Sequence, residues 1–154
     1  MPRSHLAAAL TLTALGLAPG AAHVMELPVK LAYPPEFYAA VTGSLYVWFG
    51  IAGGAVQVAA ALTVAALAVR ARRLPAGPLV IASAAALFGS LLLWGAIVAP
   101  VNAVWREMLG ASPDALAAAY AQWRPRWEYG HVAAFIAWFA GWCGLVGAAT
   151  RDAV

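Results

Sequence analysis

The chain has 154 residues, 64% of them hydrophobic and only 10% charged, with nine Lys and Arg against six Asp and Glu for a formal net charge of +3. A soluble domain carries roughly 45–50% apolar and about 25% charged residues, and a chain this short has too small an interior to hide the surplus. A mean hydropathy of +0.81 excludes an ordinary water-soluble globule, and so slight a basic excess offers no nucleic-acid surface.

No Asp, Glu, Lys or Arg lies between Glu36 and Arg70, nor between Arg73 and Arg106. Each gap exceeds the roughly 20 apolar residues that cross a bilayer core as a helix. Two further apolar runs, 6–22 and 132–150, bring the count to four. The predicted fold is all-α, an integral membrane four-helix bundle forming one domain over 1–154, with spans at about 6–26, 38–69, 78–101 and 125–150.

The first span ends in Ala22-His23-Val24-Met25-Glu26, ahead of Pro28 and the Tyr33-Pro34-Pro35 break. Pro28 either kinks the helix or stops it, because an interior proline loses a hydrogen bond and crowds the preceding turn. Arg3, the short apolar run and the small residues Gly20 and Ala22 also imitate a cleaved signal peptide, so retention and cleavage are both open. In the second span Gly50 and Gly54 form a small-xxx-small pair of the kind that lets helix backbones approach. Gln57, alone among apolar residues, reads as an interhelical hydrogen-bonder.

Arg70-Ala71-Arg72-Arg73 carries three positive charges and no acid, which makes the second connection cytoplasmic by the positive-inside rule. Alternation then places both termini in the cytoplasm. The third span is expected to end at Pro100. In the connection that follows, Ser112-Pro113-Asp114 predicts an N-cap with Pro at the first helical position, hence a short surface helix at about 113–122. The last span is expected to start at Pro125.

Trp48, Trp94, Trp105, Trp123 and Trp127 fall near predicted span ends, where an amphipathic ring suits the membrane interface. Trp138 and Trp142, one helical turn apart deep in the last span, are core packing or the wall of an apolar pocket. Cys143 is the single cysteine, so it forms no intrachain disulfide, and it reads as a small buried apolar residue. His5 has no evident partner.

Ionisable residues in a membrane segment are costly and face a bundle interior or a cavity. His23 and Glu26 lie three apart on one helix, with Lys30 a further turn along, and Glu128 and His131 repeat the spacing at the start of the last span. Arg126, Trp127 and Asn102 belong at the same depth, so three of the four spans aim polar groups at one end. His23, Glu26, Glu128 and His131 could form a mononuclear metal site, His23 and His131 could hold haem, or His131 and Glu128 could pair with Lys30, Arg126 or interfacial water and simply tie helix ends together. No cofactor is favoured.

Ala22-His23-Val24-Met25-Glu26-Leu27-Pro28-Val29-Lys30, Ala99-Pro100-Val101-Asn102 and Arg124-Pro125-Arg126-Trp127-Glu128-Tyr129-Gly130-His131 together closely resemble the signature segments of a bacterial four-span membrane family grouped with the anthrone oxygenase-like proteins. The resemblance covers nearly the whole chain and implies a bacterial inner-membrane protein. Fungal members of the group oxidise a tricyclic anthrone to an anthraquinone with molecular oxygen and no dedicated redox cofactor, while most bacterial members have no assigned reaction. By that resemblance His131, Glu128, His23 and Glu26 would be catalytic, and Asn102, Arg126, Trp127 and Lys30 would bind a lipophilic aromatic substrate arriving from membrane lipid. The competing classes are a non-enzymatic accessory or structural subunit, a metal- or haem-binding membrane protein, and, less well supported by so short a chain, a transporter.

Overall fold

The computed structural model describes residues 3–108 and 110–151, and every element among them is helical. In chain order these are α1 (Arg3–Lys30), α2 (Pro35–Trp48), α3 (Gly54–Ala71), α4 (Gly77–Leu93), α5 (Ala99–Glu107) and α6 (Pro113–Arg151). A π-helical turn at Phe49–Gly53 joins α2 to α3 without a break, and a second at Trp94–Val98 joins α4 to α5. The result is four antiparallel rods, Arg3–Lys30, Pro35–Ala71, Gly77–Glu107 and Pro113–Arg151, each long and apolar enough to cross a membrane.

All four rods outrun their predicted spans, and in three of them the cause is a proline that the helix absorbs. α1 continues past Pro19 and Pro28 to Lys30. The third rod does not end at Pro100: the π-turn lies immediately before it, and widening the helix there accommodates a residue with no N–H. The carbonyl of Ala96, four residues before Pro100, receives the Arg126 guanidinium at 3.4 Å. In the fourth rod the expected separate surface helix is absent, because α6 runs unbroken through Pro125. Its buried positions explain why. Tyr120, Arg124, Trp127, Glu128, Ala134 and Trp138 form one stripe only if the helix is continuous. The predicted cap is present, with Ala115 N–H donating to Ser112 Oγ at 3.3 Å.

Two cores hold the rods together. At the end carrying the Arg70 loop, small residues dominate: Ala9, Ala60, Ala61, Ala68, Ala71 and Ala148 pack with Val64, Leu67, Val80 and Leu145. Small side chains let helices approach closely where the surroundings are as apolar as the helix itself. His5 Nε2 lies 2.9 Å from Arg70 Nη1, so the beginning of α1 sits at this end too. The other core is aromatic, built from Tyr38, Tyr46, Trp105, Tyr120 and Trp127 with Val98 and Val101.

Within the first core Trp138 reaches across from α6 to α1. Its indole lies against Gly16, where a Cβ would come within 2.6 Å of the ring, and its Nε1–H donates to the Thr13 carbonyl at 2.9 Å. Gln57 Nε2–H donates to the Gly16 carbonyl at 2.9 Å, the interhelical role read from its isolation. The expected Gly50–Gly54 contact does not form. A Cβ at either position would meet nothing within 4 Å, and it is Gly53 that touches a neighbour, the ring of Pro19. The outer surface is apolar, with Leu15, Leu62, Leu92 and Ile136 all well exposed. Cys143 is exposed as well, because the buried face of α6 passes through Gly141 and Leu145 instead.

Candidate functional site

The end of the bundle opposite the Arg70 loop gathers polar side chains from all four rods. Lys30, on the last turn of α1, is 1% exposed, and Glu128 on α6 is fully buried. Lys30 Nζ stands 3.0 Å from Glu128 Oε2 and 3.1 Å from His23 Nδ1. The Tyr38 hydroxyl, from α2, donates to Glu128 Oε1 at 2.8 Å. Buried charges persist only when paired, and here the ammonium forms an ion pair with Glu128 Oε2 and a hydrogen bond to His23, while Tyr38 holds the other carboxylate oxygen; Oε2 has no hydrogen-bond partner of its own among the described residues. The rings of Tyr46 and Trp127 close over the Lys30 ammonium at 4.7 and 5.5 Å.

Helix geometry decides who joins. At about 100° per residue, Lys30 lies only about 20° around the helix from His23, whereas Glu26 lies about 60° away. His23 and Lys30 therefore meet, and Glu26 does not join them: its Oε2 is buried without a hydrogen-bond partner among the described residues. The same applies on α6. Glu128 turns toward α1 and α2 rather than toward His131, whose Nδ1–H donates to the Trp127 carbonyl at 2.9 Å.

His131 instead stacks on His23, with ring centroids 3.9 Å apart and planes inclined by 23°. Their hydrogen bonds give the two rings opposite polarity. Lys30 has only donors to offer, so His23 Nδ1 accepts and the neutral ring carries its proton on Nε2. The Trp127 carbonyl is only an acceptor, so His131 carries its proton on Nδ1 and its Nε2 keeps a free lone pair. Among the described residues neither Nε2 is engaged. One ring offers a donor and its neighbour an acceptor.

Both histidines line a cavity of about 820 Å³ that runs from Asn102, Trp105 and Trp127 down to Gly16 and Trp138. This lies within the range of roughly 300–1,000 Å³ typical of small-molecule sites. Trp127 edges against His23 at 4.9 Å, and its Nε1–H donates to Asn102 Oδ1 at 2.7 Å, which fixes the plane of the indole. The polar groups deeper in the cavity are engaged: Ser90 Oγ–H donates to the Ala134 carbonyl at 2.7 Å, and Gln57 and Trp138 bond α1. The imidazole pair thus faces a chamber that is mostly aromatic and apolar, with Arg106 and Asn102 on its lining at the aromatic end.

Of the residues singled out in the sequence, His23, Lys30, Asn102, Trp127, Glu128 and His131 converge. Arg126 does not: it is exposed and lies on the Ala96 carbonyl and the Trp123 ring. Its neighbour Arg124 turns inward, donating to the carbonyls of Leu31 and Tyr33 and covering the Tyr38 ring at 4.3 Å. Trp105 and Trp127 are buried in the aromatic core rather than placed at an interface. Tyr38, Tyr46 and Tyr120 were missed. Tyr38 stands at the same outer end of its span as His131 does in its own, and that shared depth was the available signal.

The side chains present do not suit the metal or haem alternatives. Among the described residues no group of three or more His, Cys, Asp or Glu side chains is arranged to hold a metal ion. A cation, the Lys30 ammonium, already sits between His23 and Glu128. Haem held by both His23 and His131 would need the two imidazoles to face iron from opposite sides, and rings stacked at 3.9 Å leave no room between them. Comparison of the chain with protein-family models, with curated proteins and with solved structures finds no match.

Proposed function

We propose that this chain is an integral membrane protein with both termini on the cytoplasmic side, and that it acts as an anthrone oxygenase-like oxidoreductase on a planar lipophilic molecule held beside His23 and His131. The observation that carries this reading is the stacked imidazole pair, one nitrogen a donor and the other an acceptor, on the wall of a largely apolar cavity. The four apolar rods and their apolar outer surface support residence in a bilayer, and the Arg70-Ala71-Arg72-Arg73 loop supports the orientation.

The chemistry follows from the two nitrogens. A ring methylene beside a conjugated carbonyl is a carbon acid. His131 Nε2 takes its proton while His23 Nε2–H holds the developing oxyanion, a division of labour between base and electrostatic stabiliser. The electron-rich enolate forms a carbon–oxygen bond with molecular oxygen, and the resulting peroxide takes the proton back from His131. His131 then removes the second ring hydrogen as the O–O bond breaks, leaving a carbonyl and a hydroxide that is reprotonated to water. In sum, a methylene and dioxygen become a carbonyl and water. Trp127 and Trp105 supply flat surface for the ring system.

Oxygen uptake by the protein in phosphatidylcholine vesicles, with a tricyclic anthrone as substrate, tests this. His131→Ala is expected to lower the rate by about 10²–10⁴-fold, the range for a positioned general base. An uptake rate equal in wild type, His131→Ala and protein-free vesicles would overturn it. A second reading, a structural subunit, draws on one observation: Lys30, Glu128 and Tyr38 are buried and pair with one another. It predicts that every variant in the group changes stability and none changes turnover.

A further inference from the structure

The cavity has a side as well as two ends. The second and third rods are joined near the Arg70 loop, where α3 packs along α4. At the opposite end the aromatic core bridges them, with Tyr38 and Trp105 meeting at 5.9 Å between ring centroids. Between these two closures each rod carries one π-turn, and residues of both π-turns line the cavity: Phe49, Gly50 and Ile51 from one, Trp94 and Gly95 from the other. The first π-turn packs on α1 and the second on α6, so each is anchored away from the gap.

Gly50 and Gly95 are unlike the glycines at helix contacts. A Cβ at either would meet nothing within 4 Å, whereas at Gly16, Gly53 and Gly130 it would run into a neighbour at 2.5–2.8 Å. Their small size therefore serves no packing and leaves an opening. Ile51, 59% exposed, and Trp94, 39% exposed, border it with apolar surface. Inside lies His23, whose side chain is 4% exposed and whose Nε2 carries no hydrogen bond among the described residues. π-turns recur at functional sites because they displace side chains that a regular helix would leave in the way.

We propose that the gap between the two π-turns is a lateral portal through which a membrane-dissolved aromatic lipophile reaches His23 and His131, with Gly50 and Gly95 setting its width. This rests on the reading of the chain as a membrane protein with a ligand cavity, and adds the route and the residues that control it. A water-soluble ligand would need a polar passage, and the rim here is Ile51, Trp94 and glycine backbone. The portal admits flat, uncharged ring compounds and refuses charged ones.

The test uses full-length protein in phosphatidylcholine vesicles and the lipophilic photoreactive probe 3-trifluoromethyl-3-phenyldiazirine, with labelled residues located by mass spectrometry. In wild type, label is expected on interior cavity residues such as Phe135 and Trp127 and on the outward Ile136. In Gly50→Trp and Gly95→Trp the interior label is expected to fall about tenfold relative to Ile136. Gly89→Trp, equally open around its Cβ but outside the cavity lining, is expected to leave it unchanged. Thermal melts establish that each variant is folded, and Gly50→Leu with Gly95→Leu replaces any that is not. Interior label that persists in the portal variants overturns the portal and leaves the cavity reading standing. No interior label in wild type overturns both.

Discussion

Tyr38 and Glu128, ninety positions apart in the chain, are joined by a buried hydrogen bond of 2.8 Å from the phenol hydroxyl to carboxylate Oε1. Through Glu128 the bond also fixes Lys30, and through Lys30 the acceptor state of His23 Nδ1. One α2 side chain thereby helps to set the polarity of an imidazole on α1. Tyr38→Phe leaves Oε1 without that donor and is expected to cost about 1–3 kcal/mol, the penalty for an orphaned buried acceptor. Thermal or denaturant unfolding in detergent measures it, and a loss below about 0.5 kcal/mol would show that water fills the gap at little cost.

The Lys30–Glu128 pair invites a double-mutant cycle. Lys30→Met alone strands a buried carboxylate and should cost about 3–5 kcal/mol. Lys30→Met with Glu128→Leu removes both charges from an apolar setting and should recover most of that loss, since such pairs can be replaced by apolar residues nearly neutrally. Additive losses in the double variant would mean that the two charges do not compensate each other.

Stability and turnover should separate along the two halves of the site. His131→Ala removes a ring that stacks on His23 but leaves the Lys30–Glu128–Tyr38 group intact, so its unfolding midpoint should move little while oxygen uptake collapses. Arg126→Ala should do neither. Its guanidinium is exposed and its bond to Ala96 is long at 3.4 Å, so the expected change is within about 0.5 kcal/mol. Loss of uptake in Arg126→Ala with an unchanged melt would restore it to the site.

Glycines at matched depth should respond in opposite senses. Gly16→Ala drives a methyl into the Trp138 indole and is expected to destabilise by about 1–3 kcal/mol, as overpacking does. Gly54→Ala meets open space and should be neutral or gain up to about 1 kcal/mol from reduced chain entropy. Melting curves of the two variants side by side decide the point.

The four rods were legible from charge-free runs, because a bilayer-length apolar helix needs no tertiary information to be recognised. Their ends were not. Pro28, Pro100 and Pro125 each signal a stop locally, and each is overridden by packing that runs along the whole helix, as the stripe from Tyr120 to Trp138 on α6 illustrates. The convergence of His23, Lys30, Asn102, Glu128 and His131 followed from depth and spacing alone. Partner choice did not, because spacing gives the face of a helix and says nothing about its neighbour. Glu128 could serve His131 or pair with Lys30, and the bundle sets it on Lys30 and on Tyr38; of two adjacent arginines the inward one, Arg124, could not be told from Arg126 without the bundle. Gly50 and Gly54 carried a contact motif and made no contact, since a small residue fits a void as well as a crossing.

The unbroken α6 sets a scale for the molecule. Its 39 residues, at about 1.5 Å each, make a rod of about 58 Å, nearly twice the roughly 30 Å of bilayer hydrocarbon. In the proposed membrane placement the stretch from His131 to the end of α6 at Arg151 would take up that hydrocarbon thickness, and the portion carrying Tyr120, Arg124 and Trp127 would stand proud of it as a turret. If the proposed placement and portal hold, the roof of the chamber projects into water and its door opens into lipid, which puts the His23 and His131 nitrogens at the boundary between the two. There a nonpolar ring compound and dissolved oxygen are both concentrated by the bilayer, while the aromatic turret holds bulk water off.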